Sequence, residues 1–157
     1  SSAASDVYKR QEWGYAYGEP QAIAPLPQVR AVLDYALSVT AGENIFLGAP
    51  LYAYDWPLPY EKGHTRAETF SSQAAVARAR LVGAEIEFDE TARSPCYHYF
   101  DKMRREHVVW FEDARSLRAK IALAAEKGLQ GIGFWQAGRE LAQAWPLLDA
   151  LVTLETL

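Results

Sequence analysis

Cysteine is nearly absent from this sequence. Of 157 residues only Cys96 carries a thiol, so no internal disulfide can form. Cys96 reads most simply as a buried small hydrophobe or a neutral surface residue. Histidine is scarce too, and His64, His98 and His107 have no metal-ligand spacing. With a single cysteine this argues against a zinc site, and neither a metal nor an organic cofactor is expected. No apolar run approaches membrane-spanning length, and no signal-peptide pattern is visible. The formal charge is -4 with no dominant basic patch, which argues against nucleic-acid partners. No phosphate-binding glycine loop, nucleophile elbow, tandem repeat or low-complexity segment is present.

What remains is globular and aromatic. Half of the residues are hydrophobic and 23% are charged, which is ordinary for a folded domain. The length favours one domain with an ample core. Aromatics reach 13%, with five Trp and nine Tyr. Some of them belong in the core, but flat aromatic faces also serve carbohydrate sites as stacking platforms.

Two aromatic strand ends stand out. One is Gly48-Ala49-Pro50-Leu51-Tyr52-Ala53-Tyr54-Asp55-Trp56, and the other is Gly131-Ile132-Gly133-Phe134-Trp135. Each is a short apolar run entered from a helical pattern and left through polar or aromatic residues. Parallel barrel strands look like this at the end that carries chemistry.

The organisation follows from punctuation and periodicity. Residues 1–11 are a polar, patternless lead-in, read as non-native or displaced. A loop rich in Gly, Pro and Tyr runs over 12–27. Pro27 stands where a helix can begin, and Val29, Val32, Leu33, Ala36 and Leu37 share one helical face. Gly42 closes that region, and Ile45, Phe46 and Leu47 open a buried strand. Residues 55–69 read as a long connection and 71–81 as a second helix. Ala84, Ile86 and Phe88 then alternate with acids, the signature of a half-exposed antiparallel strand. Two further strands are expected over 96–100 and 107–111. A third helix is expected over 113–127, capped by Asp113 or Glu112 and ended by Gly128. A strand at 132–135 and a helix at 144–154 follow, the latter with Trp145, Leu148 and Leu151 inward.

Without the antiparallel part the order is α-β-α-β-α, the repeating unit of a (β/α) barrel. A whole barrel needs eight strands and about 250 residues. The expected architecture is therefore α/β, a partial (β/α)8 barrel with a small α+β insertion. Its parts are 12–56 (barrel), 57–112 (insertion) and 113–157 (barrel).

The residues now named resemble the C-terminal part of glycoside hydrolase family 18. The likeness is greatest to its spore-germination and cortex-lytic branch, often associated with peptidoglycan-binding LysM modules. It is carried by Glu12-Trp13-Gly14-Tyr15, Ala24-Pro25-Leu26-Pro27, Val32-Leu33-Asp34-Tyr35-Ala36 and the segment 48–56. Val109-Trp110-Phe111-Glu112-Asp113-Ala114-Arg115-Ser116 and the segment 131–135 complete it. Together these cover about residues 12–152. The resemblance implies that 48–54 is the barrel's seventh strand, 131–135 its eighth, and Glu12 the acid at the end of the sixth. Family members have a Tyr before that acid, and here Gln11 stands there. The family's catalytic signature, Asp-Gly-x-x-x-Asp-x-Glu at the end of the fourth strand, does not occur in this sequence. No catalytic acid is therefore assigned.

The family hydrolyses glycans with the help of the substrate's own acetamido group, an exception to the two-carboxylate scheme. That chemistry needs groups that hold the acetamido and a platform under the sugar ring. The resemblance nominates Trp135 as the floor of the cleavage subsite, against a core tryptophan at a strand end. Glu12 is nominated as a partner of the acetamido or a hydroxyl, against a solvated loop acid. Tyr52 is placed in the same pocket, against strand packing. Asp55 and Trp56 would extend the groove, against turn chemistry and packing. Arg66 would bind a substrate carboxylate, against a surface salt bridge. Trp13 and Tyr15 would border the groove, against loop packing. Glu112 and Asp113 open a helix, where acids favour the positive dipole end, and are read as structural.

The expected function is that of a glycosidase fragment acting on N-acetylglucosamine polymers, peptidoglycan or spore cortex ahead of chitin, at an extracytoplasmic place. The glycan is the expected partner. Open sheet edges predict that a half barrel pairs with a second copy or aggregates. Two other readings stay open: a non-catalytic chitinase-like carbohydrate binder, and an α+β interaction module.

Overall fold

The computed structural model describes residues 12–135 and 141–151. The lead-in 1–11 and the end of the last expected helix lie outside the described residues.

The chain opens with a loop and then helix α1, Leu26–Leu37. Pro25 is its N-cap, and Pro27 falls within the first turn, where a missing N–H leaves no bond unmade. Val29, Leu33 and Ala36 are buried, the i, i+4, i+7 spacing of one apolar face. The helix stops at Ser38, and a short 3-10 turn over Gly42–Asn44 leads into strand β1, Phe46–Pro50. A Cβ on Gly42 would stand 2.4 Å from the Gly128 carbonyl oxygen, so only glycine lets these two loops meet.

Strand β1 has its ladder partner far away in sequence. It pairs in parallel with β7, Gly131–Trp135, in the register Phe46↔Gly131 to Pro50↔Trp135. Helix α3, Ala114–Glu126, lies between them in sequence, as a parallel crossover requires. Asp113 caps α3 by accepting from the backbone N–H of Arg115 and Ser116, and Ser116 returns a bond to the Asp113 N–H. Helix α4, Ala144–Leu151, packs on α3.

The remainder is a five-stranded antiparallel sheet. Its strands are β2 (Tyr52–Pro57), β3 (Glu68–Ser71), β4 (Glu87–Asp89), β5 (Ser94–Phe100) and β6 (Glu106–Trp110), in the spatial order β3-β2-β6-β5-β4. Helix α2, Ser72–Val82, is capped by the Ser71 hydroxyl and closed by Gly83 at φ 68°. It covers one face of this sheet.

Several expectations change. The segment 55–69 is not one long connection, because it contains the end of β2 and the start of β3. The alternating Tyr-Ala-Tyr-Asp-Trp run favours a strand, and Pro57 ends it. The chain therefore leaves the barrel sheet at Leu51, ahead of the boundary expected at Trp56. The alternation at 84–88 gives only a short strand; Ala84 and Ile86 pack beside the α2 cluster instead. Trp145 and Leu151 of α4 are exposed rather than inward, and Ala144 is the buried residue of that helix. Among the described residues α4 has only α3 as a substantial packing neighbour, which leaves the rest of its apolar surface uncovered.

Four clusters make the core. Val29, Leu33, Leu47 and Leu123 bind α1 and α3 to β1. Leu51, Leu117 and Leu141 join the barrel part to the segment before α4. Ala53, Ala75, Tyr97 and Phe111 lie between α2 and the sheet. Ile23, Tyr54, Trp56 and Val108 lie under the N-terminal loop on the opposite sheet face. Where β6 turns into α3, Glu112 and Lys120 are buried together, with Lys120 Nζ 3.0 and 2.8 Å from the two carboxylate oxygens.

Lys120→Met leaves the Glu112 carboxylate buried without its cation. Urea unfolding should show a loss of about 3–5 kcal/mol, most of it recovered in Lys120→Met/Glu112→Leu, since a buried pair is replaceable by apolar volume. A double variant no better than the single would contradict this. Burial, assisted by Glu87 and Asp89, pushes the Cys96 thiol up to about 11. At neutral pH it should react with iodoacetamide far more slowly than a free thiol and at the ordinary rate once the chain is unfolded.

Candidate functional site

Strand β2 sorts its side chains by alternation. Tyr52, Tyr54 and Trp56 share one face, while Ala53 and Asp55 point to the other, under α2. The consequences for the expected site residues are direct.

The loop over 12–23 returns to the aromatic face. Trp13 N–H donates to the Ile23 carbonyl at 2.7 Å, and Gly14 N–H to Ala22 at 3.1 Å. The buried indole of Trp56 donates to the Gly18 carbonyl at 2.8 Å. This fixes the loop on the sheet and brings Glu12 against β2, where the Tyr54 hydroxyl donates to its carboxylate. Tyr52 lies beside the same group. Its ring meets that of Tyr54 edge to face at 5.6 Å. Burial, followed by the Glu12 charge, holds its phenol protonated well above the usual range. Glu12 is thus flanked by two neutral phenols that can only donate to it.

Trp135 closes β7 and its indole is 61% exposed. It is the register partner of Pro50, and its carbonyl accepts from Leu51 N–H at 2.8 Å. The carboxyl-terminal ends of both parallel strands therefore lie together, one carrying an uncovered indole and the other running directly into Tyr52. An indole face of this kind suits the apolar face of a sugar ring. Ser72 supports the start of β2, its hydroxyl donating to the Tyr52 carbonyl at 3.4 Å.

The other expected residues lie elsewhere. Asp55 is on the far face and only 2% exposed. Its carboxylate accepts from Arg78 Nη1 at 2.6 Å and the Tyr99 hydroxyl at 2.6 Å, with His107 Nδ1 at 2.7 Å. Arg78 also holds Glu68 at 2.8 and 3.1 Å, and keeps that carboxyl below its usual range. Asp55 is the hub of a network inside the sheet–helix layer, not a groove residue. Trp56 is fully buried and offers no face to a ligand; it anchors the loop that carries Glu12. Arg66 is exposed and stands over the Tyr17 ring, 5.3 Å from its centroid, apart from Glu12 and Tyr52. Trp13 packs against the α1 cluster, and Tyr15 is half exposed beside Gly18. Glu112 and Asp113 serve the buried ion pair and the α3 cap. Burial drives the Glu112 carboxyl upward, with Lys120 opposing. Among the described residues no group of three or more His, Cys, Asp or Glu is placed to hold a metal ion.

Tyr54 is the site residue that sequence reasoning missed. The signal was present, because residues two apart on a strand share a face and Tyr52 was already nominated. Both tyrosines lie in the segment 48–54 expected as a strand, so the shared face follows from the alternation alone.

Comparison with known proteins places this arrangement in context. The sequence pattern of glycosyl hydrolases family 18 matches residues 6–140. The chain is 46% identical over 143 residues to the cortical fragment-lytic enzyme of Bacillus subtilis (strain 168), covering 91% of this chain and 33% of that protein. Its fold superimposes on the crystal structure of the Bacillus cereus spore cortex-lytic enzyme SleL with a TM-score of 0.88 at 43% identity, over 91% of this chain and 33% of that one. A chitinase from Chromobacterium violaceum ATCC 12472 gives a TM-score of 0.76 at 25% identity, over 90% of this chain and 45% of its own. The chain thus spans about a third of the length of the curated relatives it matches. With a pattern matched over most of its length and a structure superimposable on its members, the chain belongs to the glycosyl hydrolases family 18.

Proposed function

We propose that this chain is the sugar-holding part of a glycosidase that cleaves N-acetylglucosamine-containing glycans, peptidoglycan of the spore cortex ahead of chitin, by the substrate-assisted retaining route. The observation that carries the reading is the meeting of two parallel strand ends, one bearing an exposed indole and the other running into Tyr52, beside the loop carboxylate of Glu12 flanked by two phenols. In this reading Trp135 lies under the ring whose glycosidic bond is broken. Tyr52 and Glu12 hold the acetamido group, whose carbonyl oxygen attacks its own anomeric carbon. A carboxylate accepts the amide N–H and offsets the positive charge that develops on the ring so formed, and a phenol donates to oxygen. Tyr54, almost fully buried, positions Glu12 and does not touch the sugar.

The step also needs an acid to protonate the leaving oxygen. The Asp-Gly-x-x-x-Asp-x-Glu signature that supplies it in this family is not in the sequence. We therefore propose that this chain binds such glycans but does not hydrolyse them unaided. The names of the relatives, enzymes that act on cortical fragments and spore cortex, support cortex peptidoglycan as the substrate and an extracytoplasmic place of action. The edges of the two-stranded sheet that have no partner among the described residues support self-association of the isolated chain.

Purified chain should release no product from chito-oligosaccharides or cortex fragments, and any turnover abolished with the protein would overturn the non-catalytic reading. Tryptophan fluorescence should nonetheless respond to chitotetraose. Trp135→Ala should weaken that binding about tenfold, the ~1.4 kcal/mol within reach of one aromatic stacking contact. Trp145→Ala, equally exposed but on α4, should leave it unchanged. Tyr54→Phe should weaken binding several-fold by releasing Glu12, at a stability cost of about 1 kcal/mol for the lost charge-assisted bond.

A further inference from the structure

A second recess lies on the aromatic face of the antiparallel sheet, beyond Tyr54. Its floor is Leu58, Val108 and Trp110, and Pro20 and Tyr60 form its walls. Its volume is about 430 Å³, within the range of small-ligand sites. It adjoins the glycan site, since Trp110 is the register partner of Tyr54 on the neighbouring strand. The walls are fixed. The Tyr60 hydroxyl donates to the Tyr17 carbonyl at 2.9 Å, and Leu58 N–H donates to Glu106 at 2.8 Å.

The rim carries Glu19 and His98, and no lysine or arginine lines the recess. His98 Nδ1 lies 3.1 Å from Glu106 Oε1, so each already has a partner. Glu19 enters no salt bridge among the described residues. An indole and a phenol beside an uncompensated carboxylate make an environment for a cation with an apolar stem. The ring faces attract positive charge, and the carboxylate supplies the counter-charge. A neutral sugar would gain the stacking alone.

We propose that this recess is a subsite for a primary ammonium group carried by the glycan substrate, either the free amine of a de-N-acetylated hexosamine or the amine of a peptide attached to the chain. Glu19 pairs with the ammonium, and Tyr60 and Trp110 hold the carbon frame that bears it. The proposal rests on the glycan-binding reading above and adds a charge preference to it. It makes a ligand that spans both sites distinguish acetylated from unacetylated units.

The test is calorimetric titration of the full chain, in mildly acidic buffer, with chitotetraose, with a de-N-acetylated tetramer in which one acetamido group alone is replaced by the free amine, and with a short lysine-containing peptide. The de-N-acetylated tetramer should bind about tenfold tighter than chitotetraose. Glu19→Gln should erase that difference without weakening chitotetraose. Glu43→Gln, at an exposed acid in the turn before β1, removes the same single negative charge and should preserve the difference. Binding of the peptide, lost in Glu19→Gln, would assign the amine to a peptide; tight binding of the tetramer alone would assign it to the sugar. Equal affinity for the two tetramers with no Glu19-dependent binding of the peptide, or a preference that survives Glu19→Gln, would overturn the ammonium subsite while the glycan reading stands. Failure of both tetramers to bind would overturn the two together.

Discussion

The buried contact between Glu112 and Lys120 is the constraint on which the two halves of this structure depend. Glu112 is where the antiparallel sheet hands the chain back to the barrel, and Lys120 is two turns into the helix that follows. An ion pair taken out of water is worth keeping only if its geometry is satisfied, and here both carboxylate oxygens face the ammonium. The Glu112 N–H also donates to the Ser72 hydroxyl at 3.3 Å, and that hydroxyl donates to the Tyr52 carbonyl. A single set of polar contacts therefore ties α3, the start of α2 and the start of β2 together. An insertion joined to a barrel by two chain crossings would otherwise be free to hinge. Here these contacts hold the start of β2, and with it Tyr52, against the start of α2 and the end of β6.

Strand β2 then divides labour between its faces. Its even-numbered aromatics build the site and the surface around it; the odd-numbered Ala53 and Asp55 bind the sheet to α2. Asp55 gathers a guanidinium, a phenol and an imidazole around one buried carboxylate, which pins β2 against β5 and β6. A carboxylate with that many donors cannot also reach the opposite face. The same alternation that denies Asp55 a place in the groove is what aligns Tyr52 with Tyr54 around Glu12.

Much of this was legible in the sequence where the signal is local. Helices α1 and α3 declare themselves by apolar spacing, and α3 also by Asp113 and Gly128 at its ends. Ile132 to Trp135 read as a strand because nothing but a strand packs so short an apolar run between a helix and a polar loop. The parallel pairing of β1 with β7 came through family resemblance, since no local pattern encodes contact across that separation. The differences around β2 have one cause. Prolines at 57 and 59 mark a connection, so the strand is expected to stop at Tyr54, and Asp55 and Trp56 are expected beyond it, at the groove or in a packed turn, rather than inside a sheet. Burial of Trp56 depends on the loop carrying Gly18, which only the folded chain brings near. The ion pair at Glu112 was equally invisible, because an acid before a helix reads as a cap whether or not a lysine eight residues on turns back to meet it.

The exposed apolar residues complete the argument. Phe46 and Trp135 stand on the two-stranded sheet, and Trp145 and Leu151 on the helix after it. In the described residues β1 and β7 have only each other, so each leaves one edge of backbone donors and acceptors unpaired. Parallel sheets are stable when covered on both faces and, in barrels, when closed edge to edge. The relatives are about three times as long over the same alignment, and a barrel is the form in which such edges and faces are satisfied. The antiparallel sheet differs in its faces, since α2 covers one and the N-terminal loop covers much of the other; its open edges are β3 and β4. The candidate site thus stands at the border between a sheet covered on both faces and one whose edges are left open among the described residues. Its residues come from both: Trp135 from the two-stranded sheet, Tyr52 and Tyr54 from the five-stranded one.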